Sequence, residues 1–404
     1  TTWLFWGLCA AAATGFSVQV AHLIGAGNFA GARKILRQSI TATLLFGSSL
    51  ATIGVFISDS LPGWLGGDEI IRKDSSVYFL IFSLFLPVLQ MNFLASGMLR
   101  CSGNMYIPSI LNILMCLLDI IFNFFLIFPK RQIEIMGLNI DIYGAGLGVK
   151  GAALGTVLAE LVTAGGMMWY LCYRSPILKL SGERGHFLLR QDTLRNAVRI
   201  SFPMGFEHIA ICGAQIMTTI IVAPLGIIAI AANSFAIIAE SLCYMPGYGI
   251  SEAATTLVGQ SLGANRLKLL RRFANIAVWS GISIMGIMGV FMYIAAPQII
   301  GVMTPIEEIR ILGTEILRIE AFAEPMFAAA IVTYGIFVGV GNTFIPSLMN
   351  FGSIWGIRLT LATLLAPTMG LRGVWLAMCI ELCFRGVIFL FRLLLRILIL
   401  VTRL

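Results

Sequence analysis

The chain has 404 residues, of which 58% are hydrophobic and only 11% charged, with a formal net charge of +8. Soluble domains hold about 45–50% apolar and about 25% charged residues, so a water-soluble globule is excluded and lipid is the solvent. The basic residues sit in short loops between apolar runs, which suits membrane orientation better than a nucleic-acid-tracking face.

Eleven apolar stretches are long enough to span the bilayer: 3–24, 38–58, 76–99, 107–128, 148–172, 196–223, 227–258, 273–296, 313–339, 344–366 and 372–395. Gly and Pro recur inside them, as membrane helices tolerate. No alternation of the outer-membrane-barrel kind is present. The predicted fold class is an all-α integral membrane bundle.

Loop charges are strongly asymmetric. The loops 25–37, 99–106, 173–199 and 264–272, together with the tail from Arg392, hold seventeen Lys/Arg and two acids, Glu183 and Asp192. The opposite loops hold seven Lys/Arg and nine acids, among them Asp59, Asp68, Glu69 and Asp74. The positive-inside rule places the first set in the cytoplasm, so the first helix runs from outside to inside.

The decapeptide GNMYIPSILN, Gly103–Asn112, returns as GNTFIPSLMN, Gly341–Asn350, with six identical positions at a shift of 238. The same shift pairs Gly25-Ala26 with Gly263-Ala264, Arg33 with Arg271, Pro87 with Pro325 and Gly97 with Gly335. GVKGAAL from Gly148 and GLRGVWL from Gly370 match at a shift of 222, which leaves an extra outer loop near Pro129–Gly146. The decapeptide reads as a turn, with Gly for chain reversal and Pro for the first turn of the next helix, and so as scaffold.

Matching helices lie six apart and face the same way. Two parallel six-helix repeats related by a pseudo-two-fold axis along the membrane normal are therefore expected. The helix at 196–223 has no partner within the sequence, so these are eleven helices of an expected twelve, the first lying before residue 1. The expected domains are an N-lobe over 1–172, a cytoplasmic connecting loop over 173–195 and a C-lobe over 196–404.

VQVAHLIGAGNFAGAR, MPGYGISEAATTLVGQSLGAN, GVGNTFIP with WGIRL, and GLRGVWLAM resemble motifs of the MATE family, the multidrug and toxic-compound extrusion transporters. The resemblance runs over essentially the whole chain. It implies two six-helix lobes, a central cavity for organic and often cationic substrates, and antiport driven by Na+ or H+.

Ionisable groups inside membrane helices are expensive, so each needs a reason. Glu207, in ISFPMGFEHIA, follows Pro203 by four residues. Proline loosens the helix, and freed carbonyls together with a carboxylate can coordinate a cation or take a proton. The resemblance implies an acid on this helix in coupling or substrate contact; the alternative is a buried acid bonded to a neighbouring helix. Glu324 precedes Pro325, with Glu320 one turn earlier, and either reads as a functional acid or as a structural one facing Arg318 or water. Glu240 lies midway along its helix. Together Glu207, Glu240 and Glu324 form a candidate cation-attracting wall or the ion site itself.

Asp119 and Asn123 share a helix face, an oxygen pair suited to Na+ or to a structural hydrogen bond. Glu160 is central in its helix with no evident partner. Glu252 and Glu320 lie near helix ends, within reach of water. His208 adjoins Glu207 but points about 100° away. The eight cysteines are scattered, with Cys379 and Cys383 one helical turn apart. No HExxH, GxSxG or Walker loop is present, so neither an enzyme nor a cofactor is expected.

The expected function is cation-coupled efflux of amphiphilic organic compounds by alternating access, in the inner or plasma membrane, by a monomer that needs no nucleic acid. A flippase for a lipid-linked or amphiphilic substrate is the alternative, and a basic cavity would mark it.

Overall fold

A computed structural model describes residues 2–64, 69–135, 138–181 and 185–401. Asp68, Glu183, Arg184 and Arg403, which enter the loop charge balance, lie outside the described residues. Among the described residues nine helices are long and apolar enough to cross a membrane, and two bent helix pairs bring the spans to eleven. All eleven predicted spans are present. Several extend further than hydropathy indicated, because basic end turns such as Phe29–Arg37 continue the helix beyond its apolar part.

The chain divides into two compact units, Thr1–Ser201 and Phe202–Leu404. The first contains α1 (Thr2–Gly25), α2 (Phe29–Ile57), the single turn α3 (Leu61–Trp64), α4 (Glu69–Leu84), α5 (Leu86–Cys101), α6 (Tyr106–Leu126) and α7 (Val149–Trp169), which runs on through a π-helical turn at Tyr170–Arg174. It also holds the opening turns of α8 (Gln191–Val222). Its core packs Phe16, Leu36, Leu94, Met98, Leu99, Met167 and Leu171 around α5. Leu178, from the connecting segment, is buried in the same cluster. That segment is tied to α2 by Arg33 Nη1 on the Ile177 carbonyl (3.1 Å) and Thr41 Oγ1 on the Phe187 carbonyl (3.0 Å).

One element departs from the all-helical expectation. The extra loop after α6 forms an antiparallel hairpin of β1 (Pro129–Ile135) and β2 (Leu138–Ala145), with Ile133 opposite Ile140. The cause is local: QIEI and LNIDIY alternate apolar and polar residues, the period of a strand.

The second unit contains the rest of α8, then α9 (Ile227–Gly263), α10 (Leu267–Met303), α11 (Glu307–Ala321) and α12 (Glu324–Val340). They are followed by α13 (Phe344–Ser353), a π-helical turn at Ile354–Arg358, α14 (Leu359–Met369) and α15 (Leu371–Val401). α12 is apolar on every side and almost wholly buried, packed on α9, α10 and α15. Small residues let these backbones approach. A Cβ at Gly339 would lie 2.5 Å from the Thr255 carbonyl, while Ser251 Oγ and Thr255 Oγ1 donate to the Ile331 and Gly335 carbonyls at 2.9 and 2.8 Å.

Local geometry is built twice along the chain. α4 and α5 meet at a 48° bend and α11 and α12 at a 56° bend, with Pro87 and Pro325 in the first turn after each break. Both decapeptides open on a left-handed glycine, Gly103 at φ 86° and Gly341 at φ 82°, where a side chain would be strained. Amides 26, 27 and 28 bond to carbonyls 22, 24 and 23, and amides 264, 265 and 266 repeat the pattern on 260, 262 and 261.

Candidate functional site

The second unit buries five carboxylates, Glu207, Glu240, Glu320, Glu324 and Glu381, and they differ sharply in what surrounds them. Glu207 lies one turn beyond Pro203 in α8. Its Oε2 accepts hydrogen bonds from the Tyr334 hydroxyl on α12 (2.6 Å) and Ser347 Oγ on α13 (2.7 Å), and its Oε1 accepts one from Asn350 Nδ2 (2.6 Å). Close by, Trp355 Nε1 donates to the Ala210 carbonyl at 3.0 Å, joining the π turn to α8. His208 does not share in this network.

Glu381 on α15 is fully buried and also fully partnered. Arg358 donates through Nε (3.0 Å) and Nη2 (2.7 Å), Arg385 through Nε and Nη2 (both 2.8 Å), and Ser353 through Oγ (2.5 Å). The π turn explains the convergence. Ser353 and Arg358 are five residues apart, and a turn closed by i→i+5 bonds brings such a pair onto one face.

Glu320 and Glu324 are the opposite case. They are 0% and 1% exposed, and neither oxygen of either carboxylate has a hydrogen-bond partner among the described residues. The bend places Glu320 in the last turn of α11 and Glu324 at the first position of α12, where the positive end of the helix dipole favours a negative charge. Glu240, on α9, lies within electrostatic reach of both. It is within reach of Arg358 and Arg385 as well. Arg318, the expected partner, instead donates to the Tyr293 carbonyl at 3.2 Å and lies over the Tyr293 ring. Five carboxylates against two guanidiniums give this interior a surplus of acid.

In the first unit, Asp119 and Asn123 on α6 bond to one another, Asn123 Nδ2 donating to Asp119 Oδ1 at 3.1 Å. Asn123 Oδ1 is left without a donor, packed against Gly155 of α7. Glu160 gains the partner that the sequence did not reveal: Asn92 Nδ2 donates to it at 2.6 Å. Glu160 and Asp119 lie within electrostatic reach of each other. Among the described residues no three of His, Cys, Asp or Glu approach closely enough to hold a metal ion.

The sequence-predicted residues thus fall into two groups, Asp119 and Asn123 in the first unit and Glu207, Glu240 and Glu324 in the second. Tyr334, Ser347, Asn350, Arg358 and Arg385 were not anticipated as partners. Ser347 and Asn350 lie inside the second decapeptide, so its role extends past the turn. Their helical spacing, three apart on one face of α13, was the available signal.

A family model described as MatE matches residues 1–125 and 203–364, which include Asp119, Asn123, Glu207, Glu240, Glu320, Glu324 and Arg358. The chain belongs to the MatE family. Glu381 and Arg385 lie beyond the matched residues. A protein of Thermotoga maritima, named as the probable multidrug resistance protein NorM, is 26% identical over 95% of this chain and 80% of its own length. The probable multidrug resistance protein YoeA of Bacillus subtilis is 23% identical over 90% of this chain and 76% of its own. Among solved structures, an outward-facing multidrug resistance MATE transporter superposes with a TM-score of 0.86 at 20% identity, covering 99% of this chain and 86% of that one. A MATE crystal structure in complex with MaL6 gives 0.88 at 20% identity over 99% and 87%. This MatE chain is a multi-pass membrane transporter and not an enzyme.

Proposed function

We propose that this transporter exports organic, often cationic, amphiphilic compounds by antiport against Na+ or H+. The observation that carries the reading is the pair Glu320 and Glu324, buried and without hydrogen-bond partners beside Glu240. Unpartnered carboxylates in lipid are expensive, and a proton, a sodium ion or a cationic substrate relieves the cost. The relatives named as multidrug resistance proteins support the substrate class.

In this reading, coupling ion and substrate compete for the acid-rich interior of the second unit and stabilise opposite states of an alternating-access cycle. Exchange requires that difference, since a ligand with equal affinity for both states shifts nothing. Glu207 holds α8 to α12 and α13, so its occupancy by three donors links the site to helix position. Asp119 and Asn123 supply a second set of oxygens for the coupling ion. The loop charges orient the chain with its basic side in the cytoplasm of the inner or plasma membrane, and it works as a monomer. A flippase for anionic lipid-linked cargo would want the reverse charge balance.

The test is efflux of a lipophilic cationic dye from proteoliposomes under an imposed Na+ gradient and, separately, an imposed pH gradient. Uphill export driven by one of them supports the proposal. Equilibration alone under both gradients contradicts it.

A further inference from the structure

Cys379 and Cys383 lie one turn apart on α15, both reduced and both partly exposed. No other pair of cysteines in the chain has this spacing. The i, i+4 spacing sets both side chains on one face of α15. The helix keeps them from closing on themselves. Side chains at i and i+4 have Cβ atoms about 5–6 Å apart, whereas a disulfide needs about 3.5–4.5 Å. The pair is therefore a stable dithiol on a rigid element.

The surroundings are apolar and aromatic. Both thiols pack against the buried cluster of Met285, Phe327, Ile331 and Leu382, with Tyr244 and Met378 at its edge. The Tyr244 and Phe327 rings meet edge to face at 5.7 Å. A dithiol beside aromatic rings, in an interior that already holds an excess of acid, restricts what can bind. A two-coordinate soft cation such as Ag+ holds its sulfurs on opposite sides, not side by side, and a bis-thiolate complex would add negative charge within electrostatic reach of Glu320. Zinc needs four ligands, and among the described residues no third His, Cys, Asp or Glu is near enough to join the pair.

We infer that Cys379 and Cys383 form a binding site for trivalent organic arsenicals. Such a compound needs two sulfurs on one side, and it brings its own third substituent, which the Tyr244–Phe327 wall receives. With an arsenical oxide, two S–H bonds break, two As–S bonds form and the oxide oxygen leaves as water. Arsenic stays trivalent, and the product is neutral, so no charge is added to the buried interior.

The test uses the full chain, purified and reduced in detergent, titrated with phenylarsine oxide and then alkylated with maleimide. Peptide mapping of the untreated sequence needs no variant: one equivalent of arsenical should protect the peptide carrying Cys379 and Cys383, and a competing small dithiol should restore labelling. Equal labelling of that peptide with and without the arsenical overturns the inference. Cys379→Ser and Cys383→Ser should each weaken binding by about 100-fold, because a bidentate contact becomes a single one. Undiminished affinity in either variant also overturns it. Binding is read without any gradient, so the outcome is independent of whether the chain exports organic cations.

Discussion

The Tyr334 hydroxyl on α12 donates a 2.6 Å hydrogen bond to Glu207 on α8, across 127 residues of sequence. With Ser347 and Asn350 it completes the solvation of a buried carboxylate by protein donors. Glu320 and Glu324, as deeply buried, have none among the described residues. The second unit therefore holds two kinds of buried acid, those hydrogen-bonded to neighbouring helices and those without a hydrogen-bond partner among the described residues.

Tyr334→Phe should remove one charge-assisted hydrogen bond and destabilise the protein by about 1–3 kcal/mol. Denaturation in mixed micelles reads this directly. A variant as stable as the parent contradicts the role assigned to the hydroxyl.

Neutralising the two kinds of acid should have opposite effects on stability. Glu207→Gln puts an amide group where three donors converge and is expected to lower the unfolding midpoint. Glu320→Gln and Glu324→Gln remove a buried unpartnered carboxylate and should leave the midpoint level or raise it. A fall in all three alike would show that Glu320 and Glu324 have partners after all.

Glu381 with Arg358 and Arg385 is a buried ion triad, in which losing one partner costs more than losing several. Glu381→Met alone should destabilise by about 3–5 kcal/mol, since two guanidiniums lose the carboxylate they are hydrogen-bonded to. Adding Arg385→Met to that background should recover part of the loss. Strict additivity in the double-mutant cycle would contradict the coupling seen at 2.8 Å.

Close packing of α12 makes its glycines intolerant of a methyl group. Gly339→Ala would set a Cβ 2.5 Å from the Thr255 carbonyl, whereas Gly352→Ala meets nothing within 4 Å. The first should sharply reduce the yield of monodisperse protein on size-exclusion chromatography and the second should not. Equal yields would show that α9 and α12 are looser than the structure has them.

Much of the scaffold was legible because it depends on short-range chemistry. The length of the apolar runs marked every span, and the repeated glycines at Gly103 and Gly341 marked turns that only a left-handed residue closes. The hairpin at Pro129–Ala145 went unread because its alternation lies in a loop flanked by strongly helical segments. The π turn at Ile354–Arg358 leaves no periodic trace, since a single extra residue shifts phase without changing composition. The acids themselves stood out against lipid. Their partners did not: Asn350 meets Glu207 from 143 residues away, and only the folded packing of α8 on α13 brings them together. Which of the acids stay unpartnered, the property that separates Glu324 from Glu207, belongs to tertiary structure.

The central claim is that these open acids couple ion entry to export, and it is tested most directly by gradient-driven dye efflux from proteoliposomes carrying the Glu320→Gln/Glu324→Gln variant. Folding should be retained by unfolding midpoint while uphill export is abolished. Export at the parental rate, still driven by the same gradient, would contradict the account.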